Sequence, residues 1–470
     1  MSDAEALIFI EQRLRFLRID KLVSDPGYLD SLVAVTRGNP KAIEMVLGLV
    51  KYEHRPLQQV VDDLFAARGE LFDDLFTRAW TLLDDAAQRI LLIMTFFPAS
   101  ASSEALGTTA DVQGLALAKA AERLLDLALL DIQQEDLHSA SRYTLHPLVR
   151  AFAAARLAVQ PELERGARER WVQWYIELVA GVGYCWDNLG RLESFDLEHE
   201  SIYTVLTWTF QNGYFPATLQ LAKGCSYYFY TRGFWDKSPS VNVTGAMAAK
   251  YLERAADHVE MLAYHVQMLS IQGNLLEAAQ YLPTLRALAE STSLPADIFL
   301  AYQHAIAMYR LTRGELEAAE QAWRESLHQA GQVATPVRDV NRRWLATCLY
   351  LQGKLEAAQK LFQETLTEAT QRGYLRGIMF CKVRLAAIYL DQGEITRAEA
   401  ELAESSALAD QYHIRGAITD ALRVRARVYF LRGDLAAAQD ALTKAIELYE
   451  RLGRRRELAE ARDELGRLVA

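Results

Sequence analysis

Cysteine and proline are scarce in this chain of 470 residues, and long apolar runs are missing. The four cysteines, Cys185, Cys225, Cys348 and Cys381, lie far apart and none forms a Cys-x-x-Cys pair. That argues against a disulfide framework or a zinc site and for thiols on apolar faces in a reducing compartment. The eleven prolines are expected to avoid the interiors of the repeat helices described below, which favours a mainly α chain. No run of about 18 apolar residues is available to span a bilayer, and Met1-Ser2-Asp3-Ala4-Glu5 lacks the basic and apolar parts of a secretory signal. No membrane is expected, and the cytoplasm is the expected location. Lysine and arginine (51) are outnumbered by aspartate and glutamate (61), a net charge of −10. That disfavours a broad nucleic-acid surface, which needs clustered cations. No Gly-x-x-x-x-Gly-Lys-Ser/Thr occurs, so no P-loop cradles phosphates; Gly353-Lys354 is a repeat turn without the upstream glycine. What remains, 51% hydrophobic and 24% charged, is a globular composition with ample core for two to four domains.

What is present is a beat. Glycines recur at 273, 314, 353, 393 and 433, at intervals of 39 to 41 residues. Two residues after each stands an aliphatic (Leu275, Leu316, Leu355, Ile395, Leu435). Five after stands alanine (Ala278, Ala319, Ala358, Ala398, Ala438), and nine after a large apolar residue (Leu282, Trp323, Phe362, Leu402, Leu442). Steps of three and four residues put these on one helix face. The glycine supplies the left-handed residue that closes the preceding helix, and an invariant alanine marks where a neighbouring helix comes close. The pattern predicts stacked antiparallel helix pairs and resembles tetratricopeptide repeats, whose usual period is ~34 residues. Less regular turns at Asn212-Gly213 and Arg232-Gly233 read as divergent pairs flanking Tyr227-Tyr228-Phe229-Tyr230. Residues 454–469 read as a closing helix whose outer face (Arg454, Arg455, Glu457, Glu460, Arg462, Asp463) is charged, as a cap requires.

The first half is organised differently. Residues 1–68 read as short helices: Glu5–Phe16, Tyr28–Val35 after the break at Asp25-Pro26-Gly27, and Lys41–Val50, with Pro40 at a first turn where a missing N–H costs nothing. Residues 69–158 read as a winged helix. Its helices are taken as Leu71–Leu83, Ala86–Phe97 (capped by Asp84-Asp85) and Leu115–Leu130, with Ala99–Ser103 as a stop. A hairpin of Leu130–Gln134 and Arg142–Leu145 follows, joined by polar Glu135–Ser141, then a last helix Pro147–Leu157. Residues 159–213 read as a helical connector rich in aromatics (Trp171, Trp174, Tyr175, Tyr184, Trp186, Trp208), and 214–470 as the repeat superhelix.

Four features then stand in one order: Gly38-Asn39-Pro40 entering a helix, a winged helix ending in Leu145-His146-Pro147-Leu148-Val149-Arg150, a connector with Leu197-Glu198-His199-Glu200-Ser201-Ile202, and the long-period repeats. Together they resemble the C-terminal part of a STAND signal-transduction ATPase of the NB-ARC kind with a tetratricopeptide sensor. The resemblance implies that Pro40, in a turn shaped by Gly38 and Asn39, meets the adenine of bound nucleotide. It also implies that His146 contacts the β-phosphate of ADP; in the family's Met-His-Asp motif, Leu145 here replaces methionine and Pro147 aspartate. It implies further a nucleotide-binding domain N-terminal to this chain, which would begin inside the helical subdomain completing that site. No cofactor is then expected in this chain alone, and ADP or ATP in the full-length protein. The chain itself is expected not to be an enzyme.

Within the repeats, the concave inner face is where an inducer, protein or small molecule, is expected. Candidate residues are Tyr302, His304, Tyr309, Arg342, Arg343, Trp344, Arg384 and Arg423, with Tyr350, Arg376 and Arg425 on the same series of helices, because Tyr, Trp and Arg dominate binding hot spots. The helix at Gln113–Leu130 carries only Lys119 and Arg123, offset by Glu122 and Asp126; it is built to pack on protein, so no direct nucleic acid is expected. His54, His199, His258, His265 and His304 have no recognisable nucleophile beside them. The expected protein is the regulatory half of an autoinhibited switch, monomeric at rest and partnered by its own nucleotide-binding domain. The alternatives are a repeat scaffold that docks partners without switching and, further off, a winged-helix transcription regulator.

Overall fold

A computed structural model describes all residues except 24, 26, 67–70, 134–140, 183–188, 330, 332–334 and 470. Pro26, Tyr184, Cys185, Trp186 and most of the polar Glu135–Ser141 link therefore lie outside the described residues. Contacts divide the chain into two compact units, Met1–Tyr175 with Leu197–Val205, and Ile176–Asp196 with Leu206–Ala470. All three boundaries fall inside the segment read as connector.

In the first unit, the side chain of Ser2 accepts from Glu5 N while the Glu5 carboxylate accepts from Ser2 N, and this capping box starts α1 (Asp3–Leu17). Then come α2 (Gly27–Thr36), α3 (Pro40–Glu53) and α4 (Leu57–Ala66). Nearly every residue from Lys41 to Val50 of α3 is buried, so α3 is the axis of this subdomain rather than a one-faced surface helix. After α5 (Leu71–Thr81) come α6 (Asp85–Ile93), β1 (Ser100–Ser102), α7 (Ser103–Ala110), α8 (Gly114–Asp126), β2 (Asp131–Gln133), β3 (Arg142–Thr144), α9 (Pro147–Leu157) and α10 (Pro161–Val182), which crosses the division after Tyr175. The strands form one antiparallel sheet in the order β1-β3-β2.

The winged helix is therefore α6-β1-α7-α8-β2-β3, and two of its elements were invisible in the sequence. The expected stop at Ala99–Ser103 is strand β1, three residues that are extended because β3 pairs with them; no alternation shows in so short a run. Helix α7, which replaces α5 as one of the three, is eight residues containing a glycine and two threonines. It is held by Ser102, whose hydroxyl accepts from Ala105 N at 3.1 Å. Asp84 caps α6 as expected, accepting from Ala87 N at 2.9 Å.

In the second unit, after α11 (Glu193–Asp196) and α12 (His199–Gln211), which straddles the division, the helices run α13 (Phe215–Thr231), α14 (Ser238–Tyr251), α15 (Ala255–Ile271), α16 (Leu275–Ser291), α17 (Ala296–Thr312), α18 (Leu316–Gln329), α19 (Pro336–Leu351), α20 (Leu355–Arg372), α21 (Leu375–Asp391), α22 (Ile395–Gln411), α23 (Arg415–Arg432), α24 (Leu435–Leu452) and α25 (Arg455–Val469). This is a tetratricopeptide-like array of antiparallel pairs. The five repeat alanines are all fully buried, and so are Trp323 and Phe362. Burial of each such aromatic contributes about 2–3 kcal/mol. The aliphatics two residues after the glycines are less buried, Leu435 being 52% exposed, because they open the second helix instead of facing its partner. Gly213 and Gly233 flank a single helix, α13, so the two irregular turns share it. Pro283 lies inside α16, contrary to the expectation that proline avoids these interiors. It sits on the exposed face, where the carbonyl it strands is solvated.

The array also closes on itself. A Cβ at Gly233, between α13 and α14, would lie 2.8 Å from Leu452 Cδ2 and 3.1 Å from Arg415 Cβ, and one at Gly273 would lie 3.6 Å from Arg455 Cβ. The Arg232 guanidinium donates to the Tyr412 carbonyl. First and last repeats thus meet, and the inner face is a lined cavity instead of an open trough. Arg454, expected on the charged outer face of the closing helix, is instead 4% exposed and donates to Asp420 at 2.7 Å and to Glu457.

Candidate ligand-binding site

The two turns expected to face a nucleotide occupy neighbouring places in the first unit. Arg37 and Gly38 are both left-handed (φ 54 and 62), which reverses the chain into α3. Asn39 caps that helix, its Oδ1 accepting from Lys41 N at 3.0 Å and Ala42 N at 3.2 Å, and Pro40 takes the first turn. Lys41 Nζ reaches Asp131 Oδ1 at 2.8 Å. Asp131 starts β2 and pairs with Thr144 of β3, two residues before His146. His146 caps α9, its Nδ1 accepting from Leu148 N at 3.3 Å, which leaves Nε2 to carry the proton of a neutral ring. The sheet register and one ion pair therefore hold Gly38-Asn39-Pro40 and His146 at one end of the sheet.

Helix α8 sits where a winged helix would present its reading helix to DNA. Ala120, Ala121 and Leu124 are buried. A Cβ on Gly48 of α3 would lie 2.8 Å from Leu127 Cα, so the two helices nearly touch. Arg123 donates to the Leu82 carbonyl and Asp84 and lies over the Tyr52 ring, while Asp126 receives Tyr52 and Lys51. Of the four charged residues of α8, Arg123 and Asp126 are engaged with protein, while Lys119 and Glu122 are exposed and opposite in sign.

In the array, the cavity has a lobe of about 110 Å³, room for several waters. Tyr264, Val337 and Val340 form apolar wall, and Tyr230, His304 and Arg376 polar wall. A second lobe shares Tyr230 and Arg376 and adds Arg343 and Phe380. Arg343 and Arg376 are each 5% exposed. Both guanidinium groups lie over one ring, Phe380, at 4.6 and 5.1 Å to its centre, and Arg376 also lies 4.4 Å from the centre of Tyr230. His304 Nδ1 accepts from Trp323 Nε1 at 3.1 Å. Burial, then the charges of Arg343 and Arg376, push the His304 pKa down to about 3, so the ring is neutral and Nε2 bears its hydrogen. Burial alone would raise the Tyr230 phenol, yet Arg376 and Arg343 outweigh it and hold it below its ordinary value. Arg343 itself is lowered by burial and by Arg376.

The eight array candidates part company here. Arg343 and Trp344 line the second lobe and His304 the first. Arg384 lines the second lobe but is turned toward Asp420 at 3.4 Å. Arg342 pairs with Glu368 at 2.5 Å and staples α19 to α20, and Arg423, which lines a further pocket of the array, is gripped by Glu464 and Glu460 and ties α23 to α25. Tyr302 is half-buried, its phenol raised by burial, and Tyr309 lies beside Arg313 of its own turn. Arg376 is more central than its place in the sequence suggested, and Asn242, Tyr264 and Phe380 were not anticipated. A partial signal existed: His304, Arg343 and Arg423 each stand ten residues before a repeat glycine. The closure that brings Tyr230 to Arg376 leaves none. Among the described residues no group of three or more His, Cys, Asp or Glu could hold a metal ion, and no helix is long and apolar enough to cross a membrane.

No family model matches the sequence. Over 151 residues the chain is 27% identical to the transcription activator GutR of Bacillus subtilis, a stretch covering 32% of this chain. The match spans only 18% of GutR's length. Among solved structures it is similar to a STAND protein with a tetratricopeptide repeat sensor from Pyrococcus horikoshii, at 14% identity and TM-score 0.42, covering 97% of this chain and 72% of that one. It is also similar to a Rap protein complexed with competence and sporulation factor, at 13% identity and TM-score 0.39, covering 63% of this chain and 99% of that one.

Proposed function

We propose that this chain is the sensor and regulatory part of a STAND-type signal-transduction ATPase. The array receives an inducer in its inner cavity, and the first unit meets a nucleotide-binding domain that rests with ADP. The observation that carries the proposal is the cavity itself: a closed repeat array whose wall keeps buried polar groups that the fold does not use. Gly38-Asn39-Pro40 and His146, set at one end of the sheet, are proposed as this chain's share of the ADP contact. Pro40 presents a rigid apolar ring to the purine and His146 a neutral Nε2–H to the β-phosphate. The chain contributes no catalytic group of its own. The likeness to a transcription activator makes transcription the output we favour, delivered by a domain other than the winged helix, since α8 engages Arg123 with protein and offsets its one exposed cation, Lys119, with Glu122. Inducer must bind the active arrangement more tightly than the resting one, because only differential affinity shifts such an equilibrium.

The experiment is His146→Ala in the intact protein, with retained ADP measured after desalting alongside basal ATPase rate. ADP should be lost faster and the basal rate should rise. Unchanged retention and rate would remove His146 from the site, and partner binding wholly indifferent to nucleotide would favour a plain scaffold.

A further inference from the structure

Resting on that sensor reading, we infer that the array's cavity is a receptor for a small organic oxyanion. A carboxylate or phosphate is gripped by Arg376, Arg343 and the Nε2–H of His304, with the apolar body of the ligand against Tyr264, Val337 and Val340. Charge decides between ligand classes. The second lobe is lined by four arginines, Arg343, Arg376, Arg384 and Arg454, against one carboxylate, Asp420. Asp420 is already taken by Arg454 at 2.7 Å and Arg384 at 3.4 Å. Arg343 and Arg376 are left with no carboxylate within 4 Å among the described residues, whereas Arg342, Arg372, Arg423 and Arg427 on the same run of helices each have one. Two like charges in a water-poor wall are unfavourable unless something answers them. The faces of Phe380 and Tyr230 answer in part; an oxyanion answers fully, through charge-assisted hydrogen bonds to a guanidinium fork.

Hydrogen bonding points to the same place. Arg376 Nε and His304 Nε2 are buried without a partner among the described residues, and both side chains line the first lobe. Because Trp323 donates to His304 Nδ1, the free nitrogen is a donor, as Arg376 Nε is. Two buried donors without a partner in the first lobe, where no acid lines the wall, and two guanidinium groups without a carboxylate, Arg376 there and Arg343 in the adjoining lobe, fit an acceptor-only anionic head. A cationic ligand would be repelled, and a neutral polyol would leave both guanidinium groups without an anion. The wall of Tyr264, Val337 and Val340 offers little to a bare ion and much to a flat apolar body.

The test is thermal shift and calorimetry on the full chain with four probes at millimolar concentration: benzoate, phenyl phosphate, inorganic phosphate and neutral benzyl alcohol. Benzoate, phenyl phosphate or both should raise the melting temperature and bind at one site, telling carboxylate from phosphate ester, while benzyl alcohol does nothing. Arg376→Gln and Arg343→Met should each weaken that binding roughly tenfold to a hundredfold while circular dichroism and melting temperature of the free protein stay at or above those of the parent. No shift from either organic anion overturns the inference, as does a shift from inorganic phosphate alone, an equal shift from benzyl alcohol, or binding that survives both substitutions. An intact switch that still releases ADP to some neutral inducer in Arg376→Gln would sink the anion site and leave the sensor reading standing. Loss of all nucleotide coupling with anion binding intact would do the reverse.

Discussion

Closure of the array can be tested with two glycines that share a backbone conformation and differ only in their neighbours. Gly233 has φ +78 and Gly393 φ +80, so alanine at either meets the same left-handed strain, about 1–2 kcal/mol. At Gly393 the new methyl meets nothing within 4 Å, and the cost ends there. At Gly233 it lands 2.8 Å from Leu452 Cδ2 and 3.1 Å from Arg415 Cβ. Leu452 is 1% exposed and has nowhere to go, and the Arg415 atom is the root of its side chain and not its tip. Overpacking of this kind adds about 1–3 kcal/mol. Gly233→Ala should therefore cost about 2–5 kcal/mol and Gly393→Ala about 1–2. Urea unfolding of the full chain, followed by tryptophan fluorescence, compares the midpoints in one background. Equal midpoints would mean that the α13–α14 turn does not touch the end of α24. The array would then be an open spiral, and the buried state of Arg343 and Arg376 would lose its basis.

Two further outcomes follow from other contacts. In the first unit Arg142 meets Glu198 at 2.8 Å, both nearly buried, with Tyr175 donating to Glu198 at 2.6 Å and Arg142 to Ser100 Oγ at 2.8 Å. Glu198→Ala strands the guanidinium and should destabilise that unit by about 3–5 kcal/mol; a full-chain urea midpoint unmoved by the change would contradict the pairing. His304 and His265 are lowered by burial to about 3 and about 4. The unfolded chain therefore binds more protons than the folded one between those values and the ordinary histidine value near 6.5. Array stability should fall as pH drops from about 6.5 toward 4. The double variant His304→Gln, His265→Gln should show a shallower fall than the parent in urea midpoints across that range. A slope identical to the parent's would mean that neither ring is buried neutral.

The helix-pair architecture was legible in the chain because its cause is local. Glycine at a fixed interval, with alanine and a large apolar residue at fixed offsets, needs only helix geometry to be read. The cap at Asp84 was legible for the same reason, whereas those at Ser2, Asn39 and His146 were not read. Strand β1 and helix α7 were not, because three and eight residues carry no period of their own and take their state from β3 and from Ser102. The candidate site was half legible: residue types named Arg343, Trp344 and His304, but could not separate them from Arg342 and Arg423, whose carboxylates arrive from other helices. The residue pattern alone settled where the repeat helices run and which face each buries. Only the folded array decided which arginines lack a carboxylate partner, because its closure brings Tyr230 and Trp235 against residues more than a hundred positions away, and no local pattern records a contact at that separation.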